Sequence, residues 1–516
     1  MKKVFKKRAP SPSYISPSQL TLDCFQTPFE KKLNAKNRWV VLSQLMPWDE
    51  VCNLYLKNVG ISTTGRPALS PRVIIGSLII KHLCNLDDRE TVDQISENIY
   101  MQYFLGYSTF SSEPPFDASL FVDFRKRLSL ESLNAINERI VTLKTRLASG
   151  NDGSAPPSGE GNSSGTGNRG RVIFDATACP QDIAYPTDLD LLSDAREKTE
   201  QLIDELYTPA LHQAKPRTYR RVARKRYLQT AQKRNKSRKE IHKSVGSQLR
   251  FLRRNLISIN RLLDAYPAIP LKPKQHKYLL VVGTLYAQQK KMYDSKTHSV
   301  EDRIVSIHQP HVRPIVRGKS QAKVEFGAKI HVSLIDGISF LDHLSWDAFN
   351  EGSHMMDYVE QYHKRFGCYP RELLADKIYC TRANRATLKE KGIKLMAKPL
   401  GRPSAVQHHV SPGERNPIEG KFGQAKTGYG LNRIKARLRG TSESWIACIF
   451  LVLNLVKLAG AALPCLFAKF IDGLSYSFSA RWIFVPQDGF EYDNCRKVIL
   501  ITGIFNSNQI ILKTGF

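Results

Sequence analysis

None of the nine cysteines stands in a CxxC pair, their number is odd, and no cysteine–histidine spacing fits a zinc site. A disulfide framework and a zinc ribbon are thereby excluded. Scattered, reduced thiols point instead to a cytoplasmic protein. His408 and His409 are adjacent, so a regular helix or strand cannot turn both toward one metal, and a loop suits them better. The amino-terminal MKKVFKKRAPSPSYISPSQL is basic but has no apolar core, which excludes a secretory signal. Apolar runs long enough to span a bilayer are missing except at 445–471, WIACIFLVLNLVKLAGAALPCLFAKFI, and there Asn454, Lys457 and Pro464 interrupt the run. A helix buried in a soluble core fits these interruptions, and no membrane partner is expected.

Acidic side chains are also scarce. The chain has 77 Lys and Arg against 47 Asp and Glu, a formal net charge of +30. The imbalance is concentrated in residues 215–254, which hold sixteen Lys or Arg and one acid, Glu240. Cations without acids to pair them repel one another unless a polyanion lies against them, so nucleic acid is the expected partner. Leu228, Ile241, Val245, Leu249 and Leu252 form a thin apolar stripe, as in a helix packed along one side. Arg220, Arg221, Arg224 and Lys225 are the candidate phosphate contacts of this block.

What is present divides the chain. Residues 1–148 read as an all-α domain for DNA binding or dimerisation. In it LSPRVIIGSLIIKHL offers Ser70 as cap and Pro71 at the first helical position. Residues 149–170, SGNDGSAPPSGEGNSSGTGNRG, form a flexible linker. From 171 to 460 short apolar strands alternate with helices, an α/β pattern. RVIFD (171–175) is a strand ending on an acid, and a helix begins near Asp188. KYLLVVGTLYAQQ (277–289), KVEFGAKIHVSLI and ISFLDHLSW read as strands, the last two joined by an Asp336-Gly337 hairpin turn. A helix stopping at Gly367 follows, then RELLAD, a second strand ending on an acid, then a helix, IKLMA as a strand, and two helices. The basic helical block, about 188–275, is inserted after the first strand. Residues 461–516 form an atypical tail.

Asp175 and Asp376 both terminate short apolar strands. Groups at the carboxyl ends of neighbouring strands gather at one crevice, and two carboxylates meeting there repel unless a cation lies between them. Mg²⁺ suits such a site because it takes few protein oxygens. The third acid comes from ERNPIEGKFGQAK (414–426). Asn416 and Pro417 start a helix, which puts Glu419 at its third position, where a capping box would place a glutamate. That structural role leaves Gly420 and Gly423 unexplained, each costing about 1 kcal/mol against alanine in a helix. Small residues there allow close approach of another backbone. Lys426 lies two turns beyond Glu419 on the same face. Glu414 precedes the cap, so Glu419 is the preferred acid.

These residues resemble a known family. Arg415, Glu419 and Lys426 reproduce the Arg-x3-Glu-x6-Lys signature of bacterial insertion-sequence transposases of the DDE superfamily. FDATACPQDIAYPTDLDLL and ELLADKIYCTRANRATLKEKGIKLMAKPLGRP are similar to the blocks around that family's two aspartates. LSPRVIIGSLIIKHLCNLDDRETVDQISENIYMQYFLG is similar to its helical amino-terminal domain. The resemblance implies a ribonuclease-H-like catalytic core, with Asp175, Asp376 and Glu419 as catalytic metal ligands for Mg²⁺ or Mn²⁺, as a pair of ions. It implies Arg415 and Lys426 as contacts to double-stranded transposon-end DNA, and cleavage at transposon ends with strand transfer to target DNA. Lys421 is a further candidate DNA contact, and a homodimer in the active complex is expected because two ends must be joined. Pro412 stands where the wider signature has Tyr, and the chain beyond about 471 has no counterpart in the family. A catalytically inactive DNA-binding relative and a nuclease with the same core are the alternative readings.

Overall fold

A computed structural model describes residues 33–34, 36–59, 69–151, 167–316, 324–397, 412–459 and the pairs 504–505 and 508–509. The chain forms two compact units, Met1–Gly460 and Ala461–Phe516. His408 and His409, most of the 149–170 linker and nearly all of the tail lie outside the described residues.

Seven helices come first: α1 (Arg38–Leu45), α2 (Trp48–Val59), α3 (Pro71–Cys84), α4 (Asp88–Glu97), α5 (Ile99–Leu105), α6 (Leu120–Arg127) and α7 (Leu130–Asn151). Pro71 opens α3 as expected, although the Ser70 side chain makes no capping bond. After β1 (Arg171–Pro180) come α8 (Asp188–Leu206), α9 (Arg220–Ala231), α10 (Arg238–Asp264) and α11 (Pro273–Ser295). The remainder is β2 (Arg313–Val316), β3 (Val324–Ile335), β4 (Ile338–Ser345), α12 (Met355–Phe366), β5 (Glu372–Leu374), α13 (Arg382–Glu390), β6 (Lys394–Met396), α14 (Asn416–Gly428) and α15 (Arg439–Leu458). The described part of the second unit is one antiparallel pair, β7 (Ile504–Phe505) with β8 (Asn508–Gln509).

The insertion shows why its sequence is so lopsided. Its one acid between 215 and 254, Glu240, sits at the third position of α10 and closes a capping box with Ser237 while accepting from Lys233 at 2.6 Å. Val245, Leu249 and Leu252 pack against Leu191, Leu192 and Ala195 of α8 and Val282 and Leu285 of α11. Ile241, expected in this stripe, is exposed. The strand expected at 277–289 is not formed, because Pro273 opens a helix there. Its buried residues, Val282, Leu285, Gln289 and Met292, recur every three or four positions, a helical period that the local run of β-branched residues obscures. The insertion is therefore helical through Ser295. The short strand β2, which the sequence pattern does not announce, follows it.

The sheet runs β4–β3–β1–β5–β6, with β2 alongside the first residues of β3. β3 and β4 form the expected hairpin, and Asp336 and Gly337 both have positive φ, 50° and 81°, as its tight turn requires. β1 is antiparallel to β3 and parallel to β5, and β6 is parallel to β5. One face of the sheet is closed by α12 through Tyr358, Val359 and Tyr362. α15, an apolar helix long enough to cross a membrane, is instead buried along its length from Thr441 to Val456 except at Glu443, against α3, α6, α7 and β4. Asn454, the polar interruption in that run, accepts from the Ser339 amide at 2.8 Å and donates to the Ser339 carbonyl at 2.7 Å and to Asn137 Oδ1 at 2.9 Å. It satisfies the free edge of β4 and ties it to α7.

Asn454→Leu leaves the buried Ser339 amide without its side-chain partner and the Ser339 carbonyl with only the long 3.4 Å bond from Asn137, a loss of about 2–4 kcal/mol. Urea unfolding of the variant is expected to shift to lower denaturant by that amount, and an unchanged midpoint would show that the edge of β4 finds water instead.

Candidate functional site

Asp175 does not end its strand. β1 continues to Pro180, and Asp175 stands at its centre opposite Val332 of β3. What ends nearby is the parallel ladder to β5. The last rung pairs Ile173 with Leu374, and two residues beyond it on each chain lie Asp175 and Asp376. The register thus brings the two carboxylates level, at the edge where β5 leaves the sheet. After Leu374 the chain turns into a short 3₁₀ segment, Lys377–Tyr379, whose start the Asp376 side chain caps by accepting from the Lys377 amide at 2.7 Å.

A single cation joins them. Arg415 reaches Asp175 Oδ2 at 3.5 Å and Asp376 Oδ1 at 3.2 Å. Arg415 is the residue before the first turn of α14, which packs on β1. The helix starts one residue earlier than the sequence suggests. Asn416 is its first residue rather than its cap, and no side-chain bond caps it, so the capping-box role for Glu419 is not realised. Glu419 is exposed, one turn beyond Arg415 on the same side of the helix. Glu414, the less favoured acid, is occupied by an ion pair with Arg171 at the start of β1. Ile418, Phe422 and Ala425 form the buried face of α14, adjoining the side that carries Arg415 and Glu419. Gly420 and Gly423 have open space where a side chain would stand, so no backbone of the described residues approaches them. Among the described residues, no three His, Cys, Asp or Glu side chains gather closely enough to hold one ion. Two of the three expected ligands converge on a cation, and the third projects from the adjoining helical turn.

Burial pushes the Asp175 carboxyl up to about 6, against a hydrogen bond from the Ala176 amide and the attraction of Arg415, with Glu351 and Asp376 adding to the rise. Glu351 is a site neighbour that sequence reasoning missed. It opens a short 3₁₀ turn, Glu351–His354, and accepts from Lys329 at 2.8 Å, both side chains being mostly buried. This turn is locked to the one after Asp376. Asn384 Nδ2 donates to the Gly352 carbonyl at 2.7 Å and the Tyr379 carbonyl at 2.8 Å, and a Cβ at position 352 would collide with the Ile378 carbonyl. The Tyr379 hydroxyl faces Glu351 without closing a hydrogen bond of normal geometry. Behind them, buried Asp342 accepts from His331 Nδ1 at 3.1 Å, from Ser333, and from Arg365 at 2.6 Å. Arg365 also donates to Glu138 of α7 at 2.6 Å, so this network ties the amino-terminal helices to the sheet.

The expected DNA contacts divide. Arg221, Arg224 and Lys225 are exposed along α9. Arg220 is held by Asp204 at 2.8 Å, an acid it shares with Lys215. Lys421 is half-buried, and burial with neighbouring Lys457 holds its ammonium below the ordinary range. Lys426 lies in the last turn of α14. Arg415 faces the aspartates rather than solvent.

Similarity to known proteins falls on both halves of this arrangement. The family described as Transposase domain (DUF772) matches residues 27–127, the helical region. The family described as Transposase DDE domain matches residues 373–456, from β5 and Asp376 through α14 to α15. The uncharacterized protein ORF8 in the nfe locus of Rhizobium meliloti is 31% identical over 175 residues, 33% of this chain and 75% of that protein. No solved structure matches. A helical block and an acid-bearing segment that each match a transposase family, in one chain and in this order, fix its ancestry: the chain belongs to the DDE transposases of bacterial insertion sequences.

Proposed function

We propose that this transposase cuts double-stranded DNA at the ends of its element and joins them to target DNA, through one carboxylate site made of Asp175, Asp376 and Glu419. The single observation that carries the reading is the convergence of Asp175 and Asp376, 201 residues apart in sequence, on one guanidinium at 3.5 and 3.2 Å. The strand order, with β4, β3 and β1 antiparallel and β5 and β6 parallel to β1, supports a ribonuclease-H-like core.

The donor set fits a hard divalent cation: oxygen ligands only, one of them a desolvated carboxylate. Asp175, Asp376 and Glu419 are the residues that would hold such ions, which when bound would supply Lewis-acid activation of the attacking oxygen and charge stabilisation of the leaving 3′ oxygen. The chain's part is to hold those carboxylates at the sheet edge, and to bind and orient the duplex. Lys426 and the exposed glycines of α14 give phosphate charge without bulk beside Glu419. Arg221, Arg224 and Lys225 contribute backbone contacts from the insertion. Such contacts fix position without reading sequence. Pairing of two element ends calls for a homodimer.

Asp175→Asn, Asp376→Asn and Glu419→Gln are each expected to lower Mg²⁺-dependent cleavage of a duplex carrying the element's ends by on the order of a hundredfold or more. Binding of that duplex should persist in mobility-shift assays, and near-normal cutting by any variant removes that residue from the site.

The pH dependence follows from the same carboxyl. Folded Asp175 keeps its proton to about pH 6, whereas the ordinary value is 3.8, so between them the folded chain binds more protons and stability falls as pH rises. Without metal, Asp175→Asn should therefore stabilise the chain near pH 7, by up to about 3 kcal/mol, and not near pH 4. Thermal melts at the two pH values check this, and a gain of equal size at both contradicts it.

Replacing Arg221, Arg224 and Lys225 together by alanine should weaken duplex binding irrespective of sequence. It should also flatten the salt dependence of log K by roughly 0.9 per lost phosphate contact. Anisotropy titrations across salt concentrations measure the slope, and an unchanged slope would place the DNA elsewhere.

A further inference from the structure

Arg415 is poorly bonded for a residue in so charged a place. An arginine that serves structure makes short charge-assisted bonds, as Arg365 does to Glu138 and Asp342 at 2.6 Å each. Here the guanidinium reaches one oxygen of each of two carboxylates, at 3.5 and 3.2 Å. Its Nε is buried and has no hydrogen-bond partner among the described residues. The side chain is about one-fifth exposed, while Asp376 beside it is 57% exposed, so the pair opens toward solvent on that side. The backbone beneath is fixed. Glu414 is tied to Arg171, and Ile418 is fully buried under α14. Any rearrangement at this point is left to the side chain alone.

The three groups cannot all keep their partners once a divalent ion arrives. A cation bound by Asp175 and Asp376 takes the oxygens that Arg415 uses, and its charge repels the guanidinium at short range. The displaced side chain remains anchored at the mouth of the same site, one turn from Glu419, with the whole of its donor fork released. The nearest polyanion to this site in a working transposase is the DNA phosphate that is to be cut. A guanidinium binds phosphate in the two-point manner that it lacks here.

We propose that Arg415 is a displaceable plug: it neutralises the aspartate pair in the free protein, and on metal entry it moves to the DNA phosphate, so that metal and DNA each strengthen the other's binding. The inference rests on the metal-site reading above and adds a coupling that this reading does not require. Reciprocity follows from linkage. If metal frees a DNA ligand, DNA must favour the metal by the same factor. The plug also holds the acidic pair together in the absence of both ligands.

The test uses the full chain and Mn²⁺ alone, without DNA, with binding followed by electron paramagnetic resonance. R415A removes the competitor and should bind Mn²⁺ about five-fold tighter than the native chain or better, the lower end of ordinary coupling. R415K keeps the charge but cannot span two carboxylates, and should fall between. D175N and D376N should bind Mn²⁺ more weakly. With a fluorescent random-sequence duplex, Ca²⁺ should tighten binding to the native chain more than to R415A. If R415A and R415K bind Mn²⁺ no better than the native chain while the aspartate variants bind worse, the site stands and the plug is overturned. If the aspartate variants bind Mn²⁺ as the native chain does, the metal-site reading itself fails, and the plug with it.

Discussion

The structure depends on where one short ladder stops. β1 and β5 run parallel for three rungs, Arg171 with Glu372, Val172 with Leu373 and Ile173 with Leu374. Had the ladder continued, Asp175 would be covered by a neighbouring strand. Because β5 turns away after Leu374 while β1 runs on beside β3, Asp175 is left on an uncovered edge of β1, level with Asp376 just past the end of β5. Like charges so placed need a cation, and the free protein supplies one from α14. That requirement explains why a helix beginning at residue 416 must dock on the first strand of the sheet, and why the residue before it is an arginine.

Buried polar groups then hold the elements that carry these residues. Asn384 clamps the turn after Asp376 to the Glu351 turn, and Asn454 fixes the free edge of β4 to α15 and α7. The Asp342 network joins β3, β4, α12 and α7 through Arg365 and Glu138. Each would be costly if one partner were lost, because the other would stay buried and unpaired. The helical region matched by one transposase family and the segment matched by the other also pack directly together, α15 lying against α3 and α6 with the His82 ring edge-on to Trp445 at 4.9 Å. Without the amino-terminal helices, the apolar flank of α15 would be exposed.

Much of this was legible in the residues, for local reasons. Asp336-Gly337 announces its turn because both positions need positive φ. Gly367 stops α12 in the left-handed conformation, and Pro273 and Pro71 open helices. Asp175 and Asp376 stand out as acids after apolar runs. Failures arose where a local signal was outweighed by distant packing. The run YLLVVG has the residue types of a strand, yet α11 forms because its buried positions face α8 and α10. Asp175 looks terminal because the apolar run ends there, whereas pairing with β3 carries the strand five residues further. Glu351 carries no motif at all: its place beside Asp175 comes from a turn clamped by Asn384, a contact across 32 residues. Nor could spacing show that Arg415 would face the aspartates, since that follows only once α14 is docked on β1.

The insertion makes a different use of charge. Glu240 is spent on a helix cap, Asp204 on Lys215 and Arg220, and the outward side chains Arg221, Arg224 and Lys225 are left exposed. On the function proposed above, a surface of that kind would favour any duplex, and the carboxylate site would decide where chemistry occurs. The most direct test of that division is a crystal structure of the chain with Mn²⁺ and an end duplex, phased to show anomalous scattering from the metal. The account predicts a peak at roughly 2.1 Å from carboxylate oxygens of Asp175 and Asp376, with Glu419 turned toward it. A metal bound elsewhere, or Glu419 directed away from the scissile phosphate, would contradict it.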